Sequence, residues 1–276
     1  MLGSLVIIFP TPHKGGELVL RHKDREWTFD ANALMTLRSS PSLAYIAFYS
    51  DIEHEVLKVT SGHRITLTYN LYSTPSKPSP KSTSLTITPD STTFGSFQTA
   101  LRSLLKSPEF LPEGGRLGFG LAHLYPVTSN TALEDLVQYL KGEDAHIYRV
   151  CRELQLNPAL WMVYDDDDNY EKSGEFGVMI NNIIEHPDYD WYSMSYVNHL
   201  VDELGGITVN KVNIGSPEMS EWLGDVHDGR VTWISPFNER NQLKDLTMAY
   251  GNELHVGHIY CSPCLIARVP PSSDRT

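Results

Sequence analysis

Cysteine is scarce in this 276-residue chain: Cys151, Cys261 and Cys264 are the whole supply. A chain of this length can bury a core of its own, and three thiols do not make a disulfide framework. The small secreted scaffolds are therefore excluded, and a reducing intracellular compartment, cytoplasmic or nuclear, is the expectation. Positive charge is also short. Lys and Arg number 22 against 34 Asp and Glu, a net charge of −12, so the surface repels polyanions and nucleic acid is not an expected partner. Nor does any apolar run approach the roughly 20 residues that cross a bilayer, so no membrane association is expected. The first ten residues hold an apolar run, but no positive residue precedes it and Pro10, Pro12 and His13 follow, which predicts a strand and not a leader.

What is present begins as a series of short β runs: Gly3–Phe9, Gly16–Arg21, Glu26–Phe29, Leu43–Tyr49, Glu55–Thr60 and Arg64–Tyr72. Turn formers separate them, notably Pro10-Thr-Pro12, Gly15-Gly16 and Ser61-Gly62. Runs this short and close must each hide one face against a second sheet, which predicts a sandwich or jelly roll, incomplete at its beginning, over residues 1–72. Residues 73–90 open on STPSKPSPKSTS, too poor in large apolar side chains to repay ordering, and read as a linker. From 91 to 276 the pattern turns mixed. Apolar residues at helical spacing predict helices over Phe94–Leu105 and Ala132–Leu154, with strands at Gly118–Val127, Leu160–Tyr164 and Phe176–Ile180. The fold class expected is α+β: a partial jelly roll followed by a mixed α/β region.

The stretch with chemical content is Phe48–Tyr72, FYSDIEHEVLKVTSGHRITLTYNLY. His54 opens one strand, Ser61-Gly62 turns the chain, and Arg64 starts the next strand ten positions after the histidine, with Arg64, Thr66 and Thr68 alternating onto one face. A non-haem iron oxygenase needs two histidines and a carboxylate on one side of the metal, with open positions for a 2-oxo acid and oxygen. The far carboxylate of that cosubstrate needs a fixed cation. An arginine suits it because its planar fork grips a carboxylate with two hydrogen bonds and keeps its charge.

These segments, together with LVIIFPTPHKGGELVLRH (Leu5–His22) and SGHRITLTYNLY (Ser61–Tyr72), resemble the fungal prolyl-4-hydroxylase-type dioxygenases of iron(II) and 2-oxoglutarate. The resemblance covers nearly all of the first 72 residues and continues more weakly through GFGLAHLYP (Gly118–Pro126), LKGEDAHIYR (Leu140–Arg149) and AYGNELHVGHIYCSPCLIARVPP (Ala249–Pro271). It implies His54 as a metal ligand, Arg64 as the binder of the 2-oxoglutarate outer carboxylate, and Thr66 as its support. Fe(II) and 2-oxoglutarate are the implied cofactors. The implied activity is hydroxylation of a C–H bond, with a prolyl residue of a protein or peptide among the candidate substrates. Members of the family carry a His-any-Asp pair on the strand before the one that opens here at Gly3. The chain begins after that position, so a truncated, catalytically inactive remnant or an interaction protein is the alternative expectation.

Three other patterns compete. His22-Lys23-Asp24 has the His-any-Asp form, one strand later than the family's pair, and otherwise reads as a solvated turn. His255, His258, Cys261 and Cys264 recur at steps of three, a donor set fit for zinc and hence a second alternative function. A strand over Gly251–Val269 would send alternate members to opposite faces. Asp165–Asp168 fails the calcium-loop template, since Tyr170 stands at the glycine position and Phe176 at the closing glutamate, and reads as a solvated acidic loop. Cys151 falls in a helical segment and is expected as a buried apolar thiol.

Overall fold

A computed structural model describes residues 1–23, 25–37, 40–72, 91–128, 131–165, 175–184, 198–213, 229–249 and 255–275. The proposed linker, 73–90, lies outside them, as do Asp24 and residues 166–168 of the acidic run. The chain divides into two compact units, Met1–Leu85 and Thr86–Thr276. Strands predominate, with helices beside a mixed sheet in the second unit.

The first unit runs β1 (Gly3–Ile8), β2 (His13–Gly15), β3 (Leu18–His22), β4 (Arg25–Phe29), α1 (Ala31–Thr36), β5 (Ala44–Tyr49), β6 (Glu53–Val56), β7 (Val59–Gly62) and β8 (Thr66–Leu71). Two three-stranded antiparallel sheets, β5-β1-β8 and β4-β3-β6, are joined by the short β2-β7 pair. Alternation along β1 sends Val6 and Ile8 inward, where they meet Ala31, Ala44, Ile46 and Phe48. Phe29 of β4 joins the same cluster from the other sheet, so the inner faces of the two sheets meet. Burying Ile8 completely contributes roughly 1.5–3 kcal/mol. The helix α1, absent from the sequence expectation, is short but well started: the Asp30 carboxylate accepts the Ala33 amide hydrogen at 2.9 Å, an N-cap.

The strand expected at Glu55–Thr60 is two strands, β6 and β7, and Gly16–Arg21 is likewise preceded by a separate β2. Arg64 precedes β8 instead of opening it, although the Phe9 amide still donates to the Ile65 carbonyl, so the pairing with the β1 side reaches its neighbour.

The second unit holds α2 (Ser91–Leu105), β9 (Gly115–Gly120), α3 (Leu133–Leu136), α4 (Gly142–Glu153), β10 (Ala159–Asp165), β11 (Phe176–Ile180), β12 (Ile207–Asn210), β13 (Val231–Ser235), β14 (Leu243–Ala249) and β15 (His255–Val269). Its seven-stranded sheet has the order β12-β11-β10-β15-β9-β13, with β14 on β15 and only β9-β13 parallel. One face packs Leu117, Phe119, Met162, Tyr164 and Leu265 into the larger apolar cluster, which Val150 and Cys151 of α4 join. The other face carries Val163, Met179, Trp233, Cys264 and Ile266.

The sheet curls until its two end strands meet through asparagine side chains. Asn210 of β12 donates from Nδ2 to the Val231 carbonyl and accepts the Val231 amide at Oδ1, and Asn213 does the same for Trp233. A primary amide has one donor edge and one acceptor, so it substitutes for a missing strand in the ladder.

The helix expected over Ala132–Leu154 breaks at its middle. Lys141 is extended and Gly142 has φ +43°, where an added Cβ would stand 2.5 Å from His123 Nε2. The buried Asp144 carboxylate then ties the new helix to the preceding loop, accepting from the Ala122 and His123 amides and the Tyr125 hydroxyl.

Candidate functional site

Strand register in the first unit decides where the expected site residues point. His54 lies opposite Leu20, which is buried on the inner face of the β4-β3-β6 sheet, so the imidazole emerges from that inner face. Its ring centroid is 4.9 Å from that of Phe48, which belongs to β5 in the other sheet. The Nδ1 atom is 3.2 Å from the Ile52 carbonyl oxygen. A carbonyl only accepts, so the tautomer that donates from Nδ1 to Ile52 leaves Nε2 as the ring nitrogen that can face a metal.

Thr66 stands opposite Ile8 and Thr68 opposite Val6, both on the inner face of the β5-β1-β8 sheet. Arg64 crosses toward the other strands. A Cβ added to Gly16, at φ +79°, would lie 2.8 Å from Arg64 Cδ and 2.9 Å from Val59 Cγ2, so only a glycine leaves room for the arginine stem. Arg64 Nε is buried without a hydrogen-bond partner, and burial pulls the guanidinium down from its ordinary value while leaving it charged. A buried cationic donor lacking an acceptor is costly, and a carboxylate delivered to it removes that cost.

His22 ends β3 on the same face as Leu20, two residues along, and so lies diagonal to His54. The ligating atoms of His22 and Asp51 are within 4.8 Å of each other. Asp51 escapes the sequence reading because it precedes β6 and belongs to no His-any-Asp spacing; Asp24, which stands with His22 in a His-any-Asp sequence and otherwise reads as part of a solvated turn, lies outside the described residues.

No family model matches this chain, and neither a curated protein nor a solved structure does.

The described residues fit the two cofactors unequally. For 2-oxoglutarate there is a partly buried guanidinium with an unmet donor, and Thr66 two positions on at the start of β8. For iron(II), His54 belongs to no group of three ligating side chains among the described residues, so a facial triad around it is not furnished there. The zinc series fares no better. Cys261 belongs to the apolar cluster on one face of the second unit's sheet and Cys264 to the cluster on the other, as a step of three on a strand dictates. Desolvation pushes the Cys264 thiol far up, and Cys151, buried, up to about 12; neither forms a thiolate easily.

Proposed function

We propose that the first unit is part of a jelly roll of the prolyl-4-hydroxylase type and that it binds 2-oxoglutarate, with Arg64 holding the outer carboxylate, Thr66 supporting it and His54 offering one metal ligand. The observation that carries this reading is the Arg64 side chain: it is laid against Gly16, with Nε buried and unpaired. The sheet orders support it too, because β1 sits between the distant strands β5 and β8, and β3 pairs with the distant β6 as well as with its neighbour β4, long-range pairings of the kind a jelly roll uses.

In the proposed complex the guanidinium fork donates to one carboxylate of the diacid, and the Thr66 hydroxyl donates to the same carboxylate. The keto acid end then lies toward His54, across the space between the inner faces. Hydroxylation of a C–H bond, such as that of a prolyl residue, requires two ligands besides His54.

Calorimetric titration of 2-oxoglutarate into the full chain tests the proposal. Saturable one-to-one binding that Arg64→Gln removes and Arg64→Lys weakens is the expected result; binding indifferent to Arg64→Gln overturns it. Succinate release on addition of Fe(II) would extend the reading to an active dioxygenase.

A non-catalytic interaction role is the second reading, favoured by a different observation. Tyr45, Leu67 and Tyr69 lie exposed on the outward face of the β5-β1-β8 sheet, and β8 is one of its edge strands. Sedimentation should then show concentration-dependent association that Leu67→Lys reduces.

A further inference from the structure

The outward face of the β5-β1-β8 sheet carries no charged side chain. Val6 and Ile8 point inward along β1, so Leu5 and Ile7 point outward together with the residues directly opposite them. Ile7 lies between Tyr45 and Leu67, and Leu5 between Ala47 and Tyr69. In the next row, Gly3 lies between Tyr49 and Leu71. Beyond the strand ends, Leu43 and Ile65 continue the same alternation, and the Phe9 amide still donates to the Ile65 carbonyl at 3.0 Å. Leu43, Tyr45, Ile65, Leu67 and Tyr69 are 47–72% exposed.

Apolar surface of this extent favours association. With a whole aromatic side chain at 150–250 Å², these five and their partly exposed neighbours present roughly 500–700 Å². The largest apolar patch on an ordinary monomer is roughly 300–600 Å². Two such faces laid together would remove roughly 1,000–1,400 Å² from water, an area at which specific complexes begin. In a chain of net charge −12, a second copy is repelled by the charged remainder of the surface, and this face offers it an approach without charge.

The rows are also self-complementary. Sheets pack face to face with their strands roughly aligned, and a two-fold axis is the commonest symmetry of a homo-oligomer. An axis parallel to β1, between two copies of the face, lays β8 of one copy over β5 of the other and keeps each row over its counterpart. Tyr69 of each copy then stands over Ala47 of the other, the bulkiest side chain of the row over the smallest. In the adjoining row Tyr45 meets Leu67. Large side chains set against small ones let facing layers interdigitate without voids.

We propose that the outward face of the β5-β1-β8 sheet is a homodimer interface, two copies stacking about a two-fold axis along β1 with Tyr69 of each seated on Ala47 of the other. The proposal rests on the interaction reading of this face and names a second copy of the chain as the partner.

Sedimentation velocity of the full chain across about 1–200 μM tests it, the span in which an interface of this size exchanges. A monomer–dimer equilibrium with no larger species is expected, because a two-fold contact closes on itself. Ala47→Tyr sets two tyrosines against each other and should weaken the dimer by about tenfold or more, although it adds apolar surface. Ala47→Tyr with Tyr69→Ala exchanges large for small within the row and should restore the wild-type constant to within about threefold. Leu67→Lys, at an exposed position, should also weaken it by about tenfold or more with unchanged circular dichroism, and Leu37→Lys, on α1's exposed end, should leave it intact. A monomer at every concentration, a tighter dimer in Ala47→Tyr, or no recovery in the double variant would each overturn the proposal. A hydrophobic fluorescent dye separates that failure from failure of the interaction reading. A monomeric chain whose dye binding falls in Leu67→Lys overturns the dimer alone, and a chain that binds no dye and stays monomeric overturns both.

Discussion

Removing the Asp144 carboxylate should destabilise the second unit substantially, and the pH dependence of the loss has a definite sign. Asp144 accepts hydrogen bonds from the Ala122 amide at 2.8 Å, the His123 amide at 3.0 Å and the Tyr125 hydroxyl at 2.8 Å. A buried donor deprived of its acceptor costs about 1–3 kcal/mol. The hydroxyl can rotate toward another acceptor and the two amides cannot, so Asp144→Ala should lose about 2–6 kcal/mol. Asp144→Asn keeps the shape but turns an NH2 group toward one of the amides, and should lose somewhat less. Burial, the largest influence, raises the Asp144 carboxyl above its ordinary value, against the lowering effect of the three donors and of His123. The folded value therefore exceeds the unfolded one of about 3.9. With that order, the titrating contribution is fully present below the unfolded value and fades as pH rises through the folded one. Wild-type stability relative to Asp144→Asn should thus be greatest at acid pH and shrink toward neutrality. Urea unfolding of the full chain, compared between the two proteins across pH 4–7, measures both quantities. A loss below about 0.5 kcal/mol in Asp144→Ala, or a wild-type advantage that grows with pH, would refute the reasoning.

Gly118→Ala should lower the melting temperature, since the new Cβ would stand 2.3 Å from the Trp233 ring and 2.7 Å from Val231 Cγ1; overpacking of this kind costs about 1–3 kcal/mol. Asn210→Ala should cost about 2–4 kcal/mol by stripping partners from the Val231 amide and carbonyl, and amide exchange at Val231 should accelerate; an unchanged exchange rate contradicts the asparagine closure of the sheet. The three thiols are free and buried, so a thiol-reactive dye should label none of them in the native chain and all three after denaturation. Fast native labelling of Cys264 would contradict its complete burial.

The first unit was legible where a strand alternates, with Val6 and Ile8 inward along β1 and Thr66 and Thr68 opposite them on β8, and where a proline or glycine turn ends a run, as after β1. What periodicity could not show is where a continuous run is cut. The Glu55–Thr60 run hides the break between β6 and β7, and the apolar spacing of Leu133, Leu136, Val137 and Leu140 continues up to the point where Gly142 stops the helix to clear His123. The curl of the second sheet was invisible for another reason: it depends on Asn210 and Asn213, two polar residues in a segment without a clear pattern. At the candidate site, strand register puts His54 on the inner face of its sheet, whereas Arg64 lies before β8 with its stem against Gly16. The proximity of Asp51 to His22 was not legible, because it arises from strand pairing and not from any local motif.

The arginine at 64 is the centre of the functional account, and a crystal structure grown with 2-oxoglutarate examines it directly. The account predicts density for the diacid between the inner faces of the first unit, one carboxylate within hydrogen-bonding distance of the Arg64 guanidinium and Thr66. Density confined to another place, with Arg64 unengaged, would contradict it.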